Sequence, residues 1–225
     1  RCLRAHPPCP MARLLLLQKD ASVGEHLRRA VAAMPGLQVS VQSATLPRAM
    51  RGLRSCPPDL VLLDLQVRRS DLEALLEELC SWPRDTRPLL LVGALSLDDP
   101  ALMEAIAQGA DGYYLHGGSP ETLRAAIDKV LAGESPMAPS IARQAKLLFE
   151  APAWSGAGVG VDSREALRLS DVQLRVLERI GEGYLVHEVA RELLTTEHDV
   201  GLSIRTLYRK LQLDRRAATM AAQMS

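Results

Sequence analysis

The sequence has few cysteines, no long apolar run and no excess of charge. Its four cysteines are Cys2, Cys9, Cys56 and Cys80. They show neither a CxxC spacing nor a paired framework, which argues against a disulfide scaffold and a structural zinc site and fits a reducing cytosol. No apolar segment approaches the roughly 20 residues that a membrane-spanning helix needs. Basic and acidic residues number 27 each, so overall charge favours neither a nucleic acid nor a membrane as partner.

The first ten residues contain three prolines and no apolar segment. They therefore do not resemble a signal peptide, and we expect a disordered extension at 1–10, with Met11 as a plausible true start of the protein. The full length of 225 residues, 47% hydrophobic and 24% charged, is typical of one large or two ordinary globular domains.

A short apolar run at 59–64 ends on a carboxylate, Asp64. Its length, with two prolines before it and charged residues after it, predicts a parallel strand that is buried on both faces. Asp64 would then lie at the carboxyl edge of the sheet, where open α/β sheets place ligands and chemistry. The alternative is that Asp64 simply begins the next turn.

Strands and amphipathic helices alternate from Met11 onward. The predicted strands are 14–17, 38–41, 59–64, 88–92 and 112–115. The predicted helices are 23–34, 46–53, 71–82, 100–108 and 120–131, the last of them capped by Ser119. Five βα units of this size predict an α/β fold with a doubly wound, five-stranded parallel sheet.

The segment after these units changes in character. A short helix is predicted at 141–149, and a glycine-rich stretch follows at 153–160. The glycines could form a phosphate-binding loop, but no strand precedes them and no GK[ST] follows. We therefore interpret 134–167 as a linker with a short helix.

The last part of the chain has only helical patterns, at 170–180, 185–194, 197–211 and 216–224. In the third helix the apolar residues form one stripe, which consists of Val200, Ile204, Leu207 and Leu211. Thr196 and Asp199 form a capping-box pattern at its start. These four helices predict a separate all-α domain.

Basic side chains stand away from the apolar stripe of this third helix, at Arg205, Arg209 and Lys210. Such a face is often only solvated. Here a short helix precedes it, which is how a helix-turn-helix presents its second helix to a major groove. Residues 169–225 contain eight basic and eight acidic residues, so any nucleic-acid contact would be a local footprint on this helix.

With these features, the chain resembles the two-component response regulators of the NarL/FixJ type, in which a receiver domain precedes a LuxR-type helix-turn-helix. The stretches that carry the resemblance are 61–65, 109–113, 119–121 with 132–135, and 169–211. The resemblance implies a flavodoxin-like receiver domain at 11–133, the linker at 134–167, and a four-helix DNA-binding domain at 168–225.

The resemblance also implies a phosphoryl acceptor at Asp64. Receivers of this family use a divalent metal held by two acids after the first strand, a hydroxyl that ends the fourth strand and a lysine that ends the fifth. The matching positions here hold Gln18, Lys19, Ala94 and His116. Although a one-residue shift would bring Asp20 into the acid pair, the spacing favours Lys19, whose ammonium we expect beside Asp64 in place of the metal.

The receiver is therefore predicted to be degenerate, with no magnesium and no other cofactor. Tyr113 matches the family's switch aromatic, although it could equally be a strand residue packed at the edge of the sheet. In the helix-turn-helix, the positions that match DNA-contacting residues hold Thr196, Gly201, Leu202, Arg205, Arg209 and Lys210. Gly201 stands where a groove-reading lysine is common.

No pattern predicts an enzyme. The other histidines, His6, His26, His187 and His198, share no metal-ligand spacing and accompany no Ser/His/Asp arrangement. The first hypothesis is a cytoplasmic, phosphorylation-independent transcription regulator that binds double-stranded DNA as a homodimer. The second is an interaction module that pairs with another regulator and has lost DNA binding. The third is a phosphorylatable regulator with an unusual metal site and a partner sensor kinase. None involves a membrane.

Overall fold

The computed structural model describes residues 11–83, 86–151 and 167–223, with side chains described as far as Arg215. The extension predicted at 1–10 and the glycine-rich stretch at 153–160 lie outside the described residues. Within them, the predicted α/β fold followed by helices is confirmed. No helix in the described part of the chain is long and apolar enough to cross a membrane.

The sheet has five strands in the order β2-β1-β3-β4-β5. Their bounds are Ala12–Leu17 for β1, Leu37–Ser43 for β2, Leu60–Asp64 for β3, Leu89–Ala94 for β4 and Gly112–Leu115 for β5. Neighbouring strands pair in parallel, and this order is one of the two common doubly wound arrangements. The doubly wound prediction is confirmed.

The central strands form the core of the sheet. Leu14, Leu15 and Leu16 in β1 and residues 60–63 in β3 have no exposed surface, as expected for parallel strands covered on both faces. Leu17 pairs in register with Leu63. Residues that follow β1 and the end of β3 therefore share one edge of the sheet.

Nine helices are described. Their bounds are Ala21–Ala32 for α1, Leu46–Ser55 for α2, Arg69–Ser81 for α3, Pro100–Gln108 for α4, Pro120–Leu131 for α5, Pro139–Glu150 for α6, Asp171–Glu182 for α7, Val186–Glu192 for α8 and Glu197–Gln223 for α9. Ser119 is the N-cap residue of α5, as predicted, although its side chain makes no capping hydrogen bond.

Helix α1 begins two residues earlier than its apolar periodicity predicted. The carboxylate of Asp20 accepts hydrogen bonds from the backbone N–H groups of Ser22 at 2.7 Å and Val23 at 3.1 Å. This N-cap satisfies first-turn donors that would otherwise lack partners.

Helix α9 differs most from the prediction. Two helices were expected, at 197–211 and 216–224, but one continuous helix covers Glu197–Gln223. Residues 212–216 contain neither glycine nor proline, so nothing in the sequence ends the helix there. The buried stripe of Val200, Ile204, Leu207 and Leu211 is confirmed.

The chain divides into two compact units, Arg1–Leu90 and Leu91–Ser225. The first contains β1 to β3 with α1 to α3. In the second, α9 packs on α4 and α8, and α6 packs on α7. The later part of the receiver-like sequence and the C-terminal helices therefore belong to one compact unit.

The turn between α8 and α9 contains a strained leucine. Among the described residues other than glycine, Leu194 is the one with a positive φ, 55°, and its side chain is 94% exposed. A left-handed conformation costs a branched residue roughly 1–2 kcal/mol, and an exposed side chain offers little packing in return.

We predict that Leu194→Asn raises the free energy of unfolding by about 1 kcal/mol, because asparagine tolerates this backbone conformation. Urea unfolding followed by circular dichroism measures the change. Leu95→Asn is the matched control, since Leu95 is also exposed, at 65%, but has no positive φ. Equal effects of the two substitutions would contradict the assignment of strain to Leu194.

Candidate receiver site and nucleic-acid interface

Asp64 ends β3 with only 2% of its surface exposed. Its Oδ1 accepts a hydrogen bond from the backbone N–H of Gln66 at 2.9 Å, and its carbonyl oxygen accepts one from Val67 at 3.2 Å. The carboxylate thus lies at the carboxyl edge of the sheet, and it also begins the turn after β3. The two alternatives given for Asp64, a residue at the sheet edge and the first residue of a turn, are therefore both correct.

Gln18 follows β1 and is buried, with 2% of its surface exposed. Its backbone N–H donates to the Ser43 carbonyl at 2.9 Å. Within the described residues, neither its side-chain nitrogen nor its side-chain oxygen has a hydrogen-bond partner. A buried amide without hydrogen-bond partners lowers the free energy of unfolding by roughly 1–3 kcal/mol. The first position of the expected acid pair therefore holds a buried neutral amide.

Lys19 does not take the place that we expected for it. It is exposed, and across the described part of the chain its ammonium forms no ion pair, with Asp64 or with any other carboxylate. Strand β1 ends at Leu17, and Lys19 lies beyond it, in the exposed part of the loop. Asp20 is engaged as the cap of α1, so it does not complete an acid pair either.

This donor set does not fit a magnesium ion. Mg²⁺ needs carboxylate oxygens in near-octahedral geometry, and the two positions that would supply them beside Asp64 hold an amide and an ammonium. Among the residues whose side chains are described, no group of three or more His, Cys, Asp or Glu side chains could hold a metal. We therefore derive no phosphoryl-transfer step through a metal.

Ala94 and His116 lie together in the second unit. Ala94 ends β4 with 1% of its surface exposed, and its carbonyl accepts a hydrogen bond from the His116 backbone at 2.9 Å. The imidazole meets the Tyr114 ring edge to face, with 5.2 Å between centroids. A Cβ on Gly93 would lie 2.6 Å from Tyr114 Oη and 2.8 Å from His116 Nε2. His116 thus forms part of a packed aromatic cluster over a glycine.

Tyr113 is buried beside Tyr208 of α9. Burial raises the pKa of Tyr113 to about 12, and a hydrogen bond from the Ala138 backbone acts in the opposite direction. Tyr208 donates to the Pro136 carbonyl at 2.6 Å, and burial together with Tyr113 raises its pKa well above the ordinary value. In this conformation Tyr113 packs as a strand residue against the C-terminal helices.

Arg205 is not on an exposed basic face. Its side chain is 9% exposed, and Nη2 lies 3.1 Å from Oδ1 of Asp111, whose side chain is 5% exposed. Because Arg205 stands away from the apolar stripe of α9, we expected its side chain to be exposed to solvent. That expectation was wrong for this conformation, because a second surface, the segment just before β5, covers the same face of α9.

Gly201 is also covered. A Cβ there would lie 2.7 Å from Oε2 of Glu134, whose Oε1 lies 2.7 Å from Nδ1 of His198 one turn earlier on α9. The Ser135 backbone N–H donates to the Gly201 carbonyl at 3.4 Å. The absence of a side chain at 201 thus permits close approach of the segment that follows α5.

Two further hydrogen bonds extend this contact along α9, because the Gln212 amide donates to the carbonyls of Ile106 at 3.2 Å and Ala110 at 3.0 Å. We call this surface the docking face of α9. Its polar members are His198, Arg205, Tyr208 and Gln212 on α9, with Asp111, Glu134 and Pro136 opposite. Sequence analysis missed Asp111 and Glu134, although both lie in stretches that carry the family resemblance.

The other predicted DNA-contacting residues divide into two groups. Lys210 donates to the Arg168 carbonyl and to Gln173 Oε1 at 2.9 Å, and burial lowers its pKa, so it ties α9 to α7. Thr196, Leu202 and Arg209 are exposed. The Thr196 and Asp199 capping box is confirmed, with reciprocal bonds of 3.1 Å and 3.2 Å.

No model of a known protein family matches the chain. The "Nitrate/nitrite response regulator protein homolog" of Haemophilus influenzae is 31% identical over 161 residues, which are 72% of this chain and 71% of that protein. A two-component response regulator of the LuxR family from an Aurantimonas species is 27% identical, with a TM-score of 0.50 over 59% of this chain and 94% of that one.

A second solved structure covers nearly the whole chain. The response regulator RcsB in complex with DNA has a TM-score of 0.51 and covers 92% of this chain and 98% of that one. At 15% identity, this likeness shows the fold alone.

We predict that acetyl phosphate with magnesium leaves Asp64 unmodified, because the residues around it cannot hold the metal that neutralises a transferring phosphoryl group. Intact-mass spectrometry at neutral pH measures the modification, and Asp64→Asn is the control. A stoichiometric gain of one phosphoryl mass that disappears in Asp64→Asn would show that the site is active.

We also predict that the effect of Gly201→Ala depends on Glu134. Alanine favours an α-helix over glycine by about 1 kcal/mol, but its Cβ collides with the Glu134 carboxylate. In a Glu134→Ala background, Gly201→Ala should therefore raise the free energy of unfolding by about 1 kcal/mol, and in the unchanged protein it should not. The same gain in both backgrounds, measured by urea unfolding, would show that the two residues are not in contact.

Proposed function

Because this chain belongs to the NarL/LuxR family of response regulators, we propose that it is a DNA-binding transcription regulator whose receiver-like part works without phosphorylation. The observation that carries the proposal is the arrangement of α8 and α9, a short helix and a turn followed by a long helix with a buried apolar stripe. In a helix-turn-helix, the second of these helices enters the major groove. RcsB, whose fold this chain shares, has been solved as a complex with DNA.

The side chains on α9 suit a small DNA footprint. Leu202 offers an apolar group for thymine methyls, Arg205 a bidentate donor for guanine, and Arg209 a phosphate contact. Leu202 and Arg209 are already exposed, whereas Arg205 is held by Asp111. DNA recognition by Arg205 therefore requires that the docking face of α9 separates first.

This requirement makes DNA binding a two-state equilibrium. In the docked state, Arg205 and Gly201 face Asp111 and Glu134. In the undocked state they are free to meet a groove. The apparent affinity for DNA is then the intrinsic affinity multiplied by the undocked fraction.

The remaining parts of the proposal follow from the same arrangement. An amide, Gln18, and an exposed lysine, Lys19, occupy the positions that match the metal-binding acids of receivers, which supports a receiver-like part that responds to something other than phosphorylation, and we assign no catalytic residue. We propose a homodimer on DNA, as symmetric half-sites require, and the cytoplasm as the site of action. A partner regulator or kinase is not assigned.

The test is Asp111→Asn. It leaves the Arg205 guanidinium buried without its counter-charge, which weakens the docked state while every predicted DNA-contacting side chain is kept. We expect it to tighten binding to duplex DNA by about tenfold, because the proposal takes the docked state as the dominant state of the free protein. Fluorescence anisotropy with a duplex selected by the protein from a random pool, at several salt concentrations, measures the affinity.

Asp128→Asn is the matched control, since it removes an ion pair of α5, Arg124 to Asp128 at 2.6 Å, that does not involve α9. This control should leave the affinity unchanged. If neither the unchanged protein nor Asp111→Asn shows salt-dependent DNA binding at micromolar concentration, the interaction-module hypothesis replaces the proposal.

A further inference from the structure

A groove with a volume of about 580 Å³ lies in the first unit, beside the carboxyl ends of β1 and β2. This size is within the range of pockets that bind small organic molecules. Its wall is largely apolar and includes Leu17, Leu46, Pro47 and Val67. The groove therefore suits a ligand with an apolar body.

The charged groups of the groove favour an anion. Lys19 lines it, and among the described side chains no carboxylate pairs with its ammonium. Arg68 and Asp71 also line it, and their charges cancel because their side chains form an ion pair at 3.1 Å. One uncompensated positive charge is therefore available.

The start of α2 adds to this positive character. Thr45, the N-cap residue, lines the groove and makes no side-chain capping bond, and the first turn of α2 contains no acidic residue. The helix therefore presents its positive end, equivalent to roughly half a charge, without a local anion to compensate it. Together with Lys19, this suits a monoanion better than a dianion.

We propose that this groove is a binding site for a small organic monocarboxylate with an apolar tail. The carboxylate lies between the Lys19 ammonium and the first turn of α2, and the tail lies along Leu17, Leu46 and Val67. The groove lies beside the loop after β1, which holds the metal in receivers that bind one. It uses Lys19, one of the two residues whose side chains do not suit a magnesium ion. The inference concerns ligand binding and does not rest on the proposed function.

Octanoate is the probe, and isothermal titration calorimetry with the full-length protein is the measurement. We expect saturable binding with one site per chain, and binding of octanol or octylamine at least threefold weaker. Lys19→Ala should weaken octanoate binding about threefold to tenfold, as expected for loss of one charge-assisted bond. Lys129→Ala, which removes another exposed lysine from α5, should leave it unchanged.

A second variant tests the location independently of charge. Ala44 lines the groove and is exposed, so Ala44→Trp should fill the groove without disturbing the core, and it should abolish octanoate binding while circular dichroism stays unchanged. The proposal is overturned if octanoate does not bind, if octanol binds as tightly, or if Lys19→Ala and Ala44→Trp bind octanoate like the unchanged protein.

Discussion

The arrangement of the second unit depends on the buried ion pair between Arg205 and Asp111. Each of these charges costs several kcal/mol to remove from water, and the mutual attraction repays that cost only while both partners are present. Arg205 is therefore stable either in this pair or in full contact with water or a phosphate. Intermediate arrangements leave a buried charge without a partner. This constraint gives the docking of α9 its two-state character, and it couples the receiver-like segments before β5 and after α5 to the surface that would read DNA.

The sheet is stabilised independently of the residues at the positions that match the receiver's phosphorylation site. The sheet is held by fully buried leucines in β1 and β3, and none of these side chains takes part in phosphoryl transfer. Gln18, Lys19, Ala94 and His116 lie at or just after the ends of strands, outside this leucine core. Instead, His116 packs on Tyr114 over Gly93, and Lys19 faces a groove. In this structure, His116 therefore has a packing role, and Lys19 lines the groove for which we propose a ligand.

The sequence predicted features that depend on local periodicity. The five strands, the apolar stripe of α9 and the Thr196 and Asp199 capping box were predictable, because each rests on residues that are close together in sequence. The parallel arrangement of the strands was predictable from their alternation with helices. The position of Arg205 was not, because helical periodicity identifies only the face that packs within its own domain. Asp111, its partner, lies far away in sequence. The continuous α9 was missed because a helix break was assumed where no glycine or proline requires one. Lys19 was expected beside Asp64 from topology alone, and topology does not fix the direction of a side chain in the loop after β1.

The central claim is that docking of α9 and DNA binding exclude each other, and a reversible disulfide tests it most directly. A Cβ at 201 would lie 2.8 Å from Glu134 Cγ, so Gly201→Cys with Glu134→Cys, in a chain whose native cysteines are serines, brings two thiols within bonding reach. The account predicts that the oxidised protein does not bind the selected duplex in fluorescence anisotropy and that reduction with dithiothreitol restores binding. Equal affinities of the oxidised and reduced forms would contradict it.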